Sequence, residues 1–180
     1  MQPTIYFAHG KESGPWGAKI QALASLAEGK GCRVESPDYS GIADPDVRVE
    51  KLLSLAALKS GPLVLVGSSM GGYVSTVASR QLRPTGLFLM APAFYLPGYG
   101  EQDPIPEAKL TSIVHGWNDE VVPVENAIRF ARRHRCELHL LASDHRLMSH
   151  LEVVEQLFAD FLCRITGSSS CAQTTADRGP

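Results

Sequence analysis

The sequence predicts an α/β fold in three layers, in which helices cover both faces of a parallel β-sheet. Six strand-like runs of four or five residues alternate along the chain with segments whose apolar residues recur at helical spacing. Most of the runs are apolar at consecutive positions, which is typical of strands that are buried on both faces. Alternating buried strands and amphipathic helices indicate a parallel sheet sandwiched between helices.

The first half of the chain contains three predicted strands and two predicted helices. Asp44 and Pro45 are typical of a helix start, because aspartate caps free N–H groups and proline suits the first helical position. Gly61 and Pro62 end that helix before the third strand begins. The predicted strands lie at residues 4–8, 33–36 and 63–66, and the predicted helices at 17–28 and 44–59.

The second half repeats the alternation three more times. Residues 92–109 contain four prolines, so we expect a loop with little helix between the fourth and fifth strands. Arg83 and Pro84 end the helix that follows the third strand. The predicted strands lie at residues 86–90, 110–114 and 137–141, and the predicted helices at 70–82, from 123 onward and at 149–164.

Length and composition favour a single globular domain. The 180 residues are 44% hydrophobic and 20% charged, with a formal net charge of −2. A chain of this length buries about 70% of its unfolded surface, so one core is enough. We expect the domain to span residues 1–165 and residues 166–180 to form a disordered tail, because the tail has almost nothing apolar to bury.

Charge, cysteines and hydropathy argue against several classes of partner. The one basic cluster falls late in a predicted helix, where cations face water and suit the helix dipole. The cysteines show neither a C-x-x-C pair nor metal-ligand spacing, which indicates thiols in a reducing compartment. No apolar run reaches the ~18 residues of a membrane span. We therefore expect a cytoplasmic protein that contains no metal and binds neither nucleic acid nor membrane. The sequence leaves the oligomeric state open.

The turn between the third strand and its helix contains a candidate nucleophile. In the motif from Gly67 to Gly71, the pattern Gly-x-Ser-x-Gly predicts that Ser69 sits at the tip of a tight bend. Such a bend strains the serine backbone by about 1–3 kcal/mol. Met70 begins the next helix, so its free N–H is a candidate for half of an oxyanion hole. The alternative is a glycine-rich turn without chemistry.

A serine nucleophile needs a base and a carboxylate that orients the base. His145 follows the sixth strand directly, and Asp119 follows the fifth strand. Because parallel strands end at one edge of the sheet, both side chains can reach Ser69. The competing groups are His9, His115, His134, His139 and His150 for the base, and Glu120 and Asp144 for the carboxylate.

The chain order Ser69, Asp119, His145 is that of the α/β-hydrolase fold. The chain resembles small, lid-poor α/β-hydrolases, and most of all the compact bacterial esterases of the YqiA-like group. The resemblance is carried by His9-Gly10, the motif at 67–72, the pattern His-Gly-x-x-Asp-x-x-Val-Pro at 115–123, and Asp144-His145.

The resemblance implies a minimal α/β-hydrolase sheet of six parallel strands in the order 2-1-3-4-5-6. It also implies that the residue after His9-Gly10 supplies the second oxyanion N–H. That residue is Lys11, and Glu12 remains an alternative.

We therefore predict a serine hydrolase without a cofactor that cleaves a small carboxylic ester or thioester through an acyl-enzyme. The alternatives are a peptide or amide hydrolase with the same three residues, and a binding protein on the same fold without catalysis. Residues 92–109 are too few for a helical lid, so we expect an open pocket for short acyl chains. Its predicted apolar contacts are Phe94, Tyr95, Leu96, Tyr99 and Trp117.

Overall fold

A parallel β-sheet forms the centre of the protein in this computed structural model, which describes residues 2–57 and 61–167. Within these residues the strand order is β2-β1-β3-β4-β5-β6, and every neighbouring pair is parallel. The observed order confirms the predicted fold. The strands are β1 (Thr4–Ala8), β2 (Arg33–Glu35), β3 (Leu63–Ser68), β4 (Gly86–Met90), β5 (Leu110–Gly116) and β6 (Glu137–Leu141).

Helices cover both faces of the sheet and complete three layers. One face packs against α1 and α5, and the other packs against α2, α3 and α4. A short 3₁₀ turn, Met148–His150, precedes the last helix, which therefore begins two residues later than predicted. The helices are α1 (Ala18–Gly29), α2 (Pro45–Ala56), α3 (Met70–Leu82), α4 (Val124–His134) and α5 (Leu151–Thr166).

The central strands β1, β3 and β4 are apolar at consecutive positions because each of them contributes to two cores. In β4, Phe88 packs against Phe158 of α5, with ring centroids 5.0 Å apart. The adjacent residues Leu87 and Leu89 point to the opposite core with α3 and α4. Both sets are fully buried, so the sheet is shielded from water on both faces.

Two strands extend further at their carboxyl ends than the sequence predicts. Gly67 and Ser68 extend β3 because they pair with β4, and His115 and Gly116 extend β5 because they pair with β6. His115 is therefore a buried strand residue. Residues 92–109 form no helix or strand, as predicted. Residues 58 and 59 of the predicted second helix, and residues 168–180 of the predicted tail, lie outside the described residues.

The described residues contain neither a membrane-spanning helix nor a cluster of metal-binding side chains. None of the helices in 2–57 and 61–167 is long and apolar enough to cross a lipid bilayer. Within those ranges, no three histidine, cysteine or acidic side chains converge as a group that could hold a metal ion.

Candidate active site

The turn between β3 and α3 presents Ser69 at the carboxyl end of the sheet. Ser69 has φ 55° and ψ −119°, a conformation that costs a residue other than glycine about 1–3 kcal/mol. Its main chain is held on both sides: the Ser69 N–H donates to Met90 O at 2.9 Å, and the Ser69 carbonyl accepts from the N–H groups of Ala93 and Gly72 at 3.0 and 2.9 Å. A Cβ at Gly71 would overlap the Ala8 carbonyl, so glycine is required where the turn crosses β1.

His145 and Asp119 reach Ser69 from two neighbouring loops. His145 follows β6 and Asp119 follows β5, and the parallel topology brings both loops to the edge where Ser69 lies. His145 Nε2 is 3.0 Å from Ser69 Oγ, and His145 Nδ1 is 2.7 Å from Asp119 Oδ2. The three side chains nominated by their strand-end positions are thus in hydrogen-bonding distance of one another.

Asp119 is a buried carboxylate surrounded by N–H donors, with a side chain 0% exposed. Its Oδ1 accepts from the Val121 and Val122 N–H groups at 2.9 and 2.8 Å. Its Oδ2 accepts from His145 and also lies 3.1 Å from His115 Nε2. Burial alone would raise the pKa of Asp119, but hydrogen bonds from His115, His145 and Val122 hold that pKa well below its usual range. Asp119 is therefore ionised.

The acceptors around the two histidines determine which ring nitrogen carries the proton. The Val122 carbonyl lies 3.0 Å from His115 Nε2 and has no proton to donate, so His115 Nε2 is protonated, and its N–H is shared between Val122 O and Asp119 Oδ2 at 3.0 and 3.1 Å. The ionised Asp119 likewise accepts the Nδ1 proton of His145. His145 Nε2 then has a free lone pair that faces the Ser69 hydroxyl. This arrangement can remove the serine proton as the oxygen attacks a carbonyl carbon.

The competing candidates have other roles or positions. Asp144 Oδ1 accepts the N–H groups of Arg146 and Leu147 at 3.0 and 3.1 Å, which stabilises the turn that carries His145. Glu120 is exposed. Of the other histidines, His139 lies in β6, His134 at the end of α4 and His150 in the 3₁₀ turn. His9 follows β1, and its ring is hydrogen-bonded to Gly10 O and to the Tyr39 N–H.

Main-chain N–H groups lie beside Ser69 without an acceptor in the described part of the chain. The N–H of Met70 is free because Met70 begins α3. Lys11 and Glu12 also make no main-chain hydrogen bond through their N–H groups, and both residues line the cavity at Ser69. A Cβ on Gly10 would lie 3.4 Å from Ser69 Cβ, so this loop runs close to the nucleophile.

A cavity of about 570 Å³ opens beside Ser69 and His145. That volume is typical of a site for a small molecule. Its apolar wall includes Leu96, Tyr99 and Val121. We conclude that the cavity can hold a small, largely apolar group next to the serine.

Charged side chains also reach this cavity. Lys19, in the first turn of α1, donates from Nζ to the Arg146 carbonyl at 3.1 Å. Burial lowers the pKa of Lys19 to about 8, although the charges of Asp119 and Asp144 act in the opposite direction. The wall is therefore not uniformly apolar.

The predicted pocket residues are divided by the structure. Leu96 and Tyr99 line the cavity, whereas Phe94, Tyr95 and Trp117 do not. Phe94 is 0% exposed and Trp117 is 54% exposed, so one is in the core and the other is on the surface away from the cavity. The prediction for these three residues is corrected accordingly.

The aromatic residues at the start of the 92–109 segment anchor it to α4. Phe94 stacks on Phe130 with ring centroids 4.0 Å apart. The Arg129 guanidinium lies 4.0 Å from the centre of the Tyr95 ring, and the Tyr95 hydroxyl donates to Asp103 at 3.0 Å. Because these rings complete the α4 core, they are turned away from Ser69.

Sequence reasoning assigned no role to two residues near this site. His115 appears in the sequence only as a competing base and as part of the motif at 115–123, although a histidine that ends an apolar strand is a usable signal for a buried role. Arg48 is 2% exposed, and its signal was its position one turn before Leu52 on the buried face of α2. Neither signal indicates what the side chain would contact.

The sheet, the strained serine turn and the linked histidine and carboxylate define the chain's class. A family model described as the alpha/beta hydrolase family matches residues 5–166. The chain therefore belongs to the alpha/beta hydrolase family.

Solved structures agree with this assignment. A Xanthomonas campestris pv. campestris protein assigned to the alpha/beta hydrolase superfamily is 33% identical, with a TM-score of 0.81, covering 91% of this chain and 98% of that one. Est1E from Butyrivibrio proteoclasticus is 19% identical, with a TM-score of 0.80 and coverages of 92% and 89%. Est1E has also been solved with ferulic acid bound.

A further Xanthomonas campestris protein, described as a serine hydrolase without a lid, is 19% identical, with a TM-score of 0.75 and coverages of 90% and 81%. At this identity, Est1E and the lid-less protein show the fold alone. Comparison with curated proteins gave no match.

Proposed function

We propose that this protein is a serine hydrolase that cleaves a small carboxylic ester or thioester. The observation that carries the proposal is the continuous hydrogen-bonded line from Ser69 Oγ through His145 to ionised Asp119, with contacts of 3.0 and 2.7 Å. A serine hydroxyl becomes a useful nucleophile only when such a base accepts its proton. The family assignment supports hydrolysis in general, and the ester or thioester specificity is our own step.

The proposed reaction has two halves. Ser69 Oγ attacks the carbonyl carbon while its proton passes to His145 Nε2, and Asp119 stabilises the resulting imidazolium. The negative charge on the carbonyl oxygen is stabilised by the N–H groups of Met70 and the loop after β1. His145 then protonates the departing alcohol or thiol, which leaves an acyl group on Ser69. A water molecule, deprotonated by His145, then attacks the acyl carbon. The bond from that carbon to Ser69 Oγ breaks, His145 returns the proton to Ser69, and the acid leaves.

Labelling with a fluorophosphonate probe tests whether Ser69 is a nucleophile. We expect the probe to bind Ser69 covalently in the wild-type chain and to fail with Ser69→Ala. Ser68→Ala is the matched control, because it removes the neighbouring hydroxyl, and it should label like the wild type. If the probe fails to label the folded wild-type chain, the protein is a binding protein rather than a hydrolase.

A substrate panel tests the ester and thioester assignment. We expect Ser69→Ala to lower kcat on p-nitrophenyl acetate and on an acetyl thioester by roughly 10⁴–10⁶ while the chain stays folded. The panel includes methyl ferulate, because ferulic acid binds the structurally similar Est1E. Cleavage of peptide amides with no cleavage of either ester or thioester would replace this proposal with the amide alternative.

We also propose a cytoplasmic location. Cys32 and Cys136 are thiols rather than disulfides in the structure, which suits a reducing compartment.

A further inference from the structure

Arg48 is buried beneath the loop that follows β1. Its side chain is among the largest fully shielded ones, with the residue 2% exposed. Its Nη1 donates to the carbonyls of His9 and Gly10 at 3.3 and 3.2 Å, and its Nε donates to Ile42 O at 2.7 Å. Within residues 2–57 and 61–167, no carboxylate lies within ion-pair distance of this guanidinium. The hydrogen bonds of this buried positive charge therefore go to main-chain oxygens.

His9 supplies a second donor to one of the same oxygens. The Tyr39 N–H donates to His9 Nε2 at 2.9 Å, so Nε2 carries no proton and Nδ1 must carry it. His9 Nδ1 lies 2.8 Å from Gly10 O and donates to it. Burial lowers the pKa of His9, and the charge of Arg48 lowers it further, so the ring is neutral. The Gly10 carbonyl therefore receives two N–H groups from two buried side chains.

Holding the Gly10 carbonyl also orients the next N–H group. The described chain contains no cis peptide bond, and in a trans peptide the C=O and the following N–H point in opposite directions. The Lys11 N–H must therefore point away from His9 and Arg48. Lys11 lines the cavity beside Ser69, and its N–H has no acceptor in the described residues.

We infer that Arg48 and His9 are positioning residues that lock the Gly10–Lys11 peptide, so that the Lys11 N–H completes the oxyanion hole opposite Met70. The inference rests on the proposed function and decides between Lys11 and Glu12. Only the peptide that ends at Lys11 N has its carbonyl held by both side chains. A buried guanidinium without a counter-charge is expensive to desolvate, and a catalytic requirement for one peptide orientation accounts for its presence.

The test compares Arg48→Met, Arg48→Lys and a matched control, Leu52→Ala. Leu52 lies one turn away on α2 and is 0% exposed, so its truncation destabilises the same helix without touching the Gly10 carbonyl. Each variant is assayed for kcat and kcat/KM on p-nitrophenyl acetate. Each is also titrated with a trifluoromethyl ketone, which adds Ser69 Oγ to its carbonyl carbon and places a negative oxygen in the hole.

We expect Arg48→Met to lower kcat and kcat/KM together by about 10-fold to 100-fold, because complete loss of one oxyanion donor costs about 10²–10³ in kcat. The dissociation constant of the ketone should rise by the same factor. The kinetic constants and the ketone affinity of Arg48→Lys should lie between those of the wild type and of Arg48→Met, since one ammonium cannot reach all three carbonyls. Leu52→Ala should melt at a lower temperature and retain wild-type values for both measurements.

Two results would overturn the inference. One is a folded Arg48→Met protein whose ketone affinity and kcat/KM stay within about twofold of the wild type. The other is an equal loss in Leu52→Ala, which would reduce Arg48 to a contributor to stability. If Arg48→Met does not fold, the same comparison is made with Arg48→Lys. A wild-type chain that neither cleaves the ester nor binds the ketone contradicts the proposed function itself, which separates the two failures.

Discussion

The two sides of Ser69 each contain a buried charge, and the charges have opposite signs. On the acid–base side, the carboxylate of Asp119 accepts hydrogen bonds from two histidines and two main-chain N–H groups. On the oxyanion side, the guanidinium of Arg48 donates to three main-chain carbonyls and to no carboxylate in the described residues. Each side also has a fully buried histidine. His115 and His145 both contact Asp119 Oδ2, and His9 and Arg48 both donate to Gly10 O.

The difference lies in what each charge orients. Asp119 holds a side chain, His145, whose ring must gain and lose a proton at Nε2 during the proposed reaction. Arg48 holds a peptide group, which must keep one orientation throughout. A carboxylate suits the first task because it stabilises the imidazolium, and a guanidinium suits the second because it donates several hydrogen bonds at once. In the proposed reaction, a buried ion therefore supports proton transfer on one side of Ser69 and a fixed peptide orientation on the other.

The largest expected effect breaks the acid–base side. Asp119→Asn should lower kcat on p-nitrophenyl acetate by about 10⁴, because the amide favours the wrong tautomer of His145. Asp144→Asn is the matched control: it keeps an oxygen that can accept from Arg146 and Leu147, so its loss should stay below about threefold. Steady-state kinetics of both variants check this. Equal losses in the two variants would remove Asp119 from its proposed role.

The next effect concerns the histidine on the same side. His115→Met removes one donor from Asp119 and should lower kcat by about tenfold, the value of one hydrogen bond to a charged group. His115→Gln retains an N–H near the position of Nε2 and should recover most of the activity. The melting temperatures of both variants are measured in parallel. A loss shared by both variants in proportion to their melting temperatures would indicate that His115 acts through stability alone.

A smaller effect separates the cavity wall from the anchored aromatics. With only 92–109 between β4 and β5, kcat/KM should peak at acyl chains of about two to six carbons and then decline. Leu96→Ala should lower kcat/KM for butyrate relative to acetate by about fourfold, because one covered methylene is worth about 0.8 kcal/mol. Trp117→Ala, outside the cavity, should leave that ratio unchanged. A steady rise to twelve or more carbons would show that a deeper acyl site exists.

The smallest effect is on acid stability, and it sharpens the comparison of the two charges. The folded pKa of Asp119 is lowered, so its contribution is fully present above the unfolded pKa of about 3.9 and is lost as pH falls below it. The gap in melting temperature between the wild type and Asp119→Asn should therefore narrow below about pH 4. The gap for Arg48→Met should not follow this carboxylate titration, because arginine stays charged over the whole range of about pH 3 to 8. Any change in that gap should fall where His9 titrates, since the charge of Arg48 lowers the pKa of His9. If the two gaps changed in parallel with pH, the stability lost in acid could not be assigned to the protonation of Asp119.

Local chemistry in the sequence was enough to predict the sheet and the three side chains that meet at its carboxyl edge. Apolar runs bounded by glycine and proline located the central strands, since a strand buried on both faces has few polar positions. The edge strands β2 and β6, which are only partly buried, followed from the alternation of strands and helices. The Gly-x-Ser-x-Gly turn identified Ser69, because the close crossing of strand and helix demands glycines on both sides. Asp119 and His145 followed from the rule that parallel strands end at one edge, so residues just after strands meet there.

The tertiary structure alone decided which way side chains in loops and on helices face. Phe94 and Leu96 are two residues apart in one proline-rich segment, yet one stacks on α4 and the other lines the cavity. No sequence period governs such a segment, so packing against a helix distant in the chain determines the outcome. Arg48 and His115 depend on contacts with main-chain atoms, the carbonyls of His9, Gly10, Ile42 and Val122. A carbonyl is present at every residue and leaves no signature in the sequence, so only the folded chain shows which one a buried charge will bind.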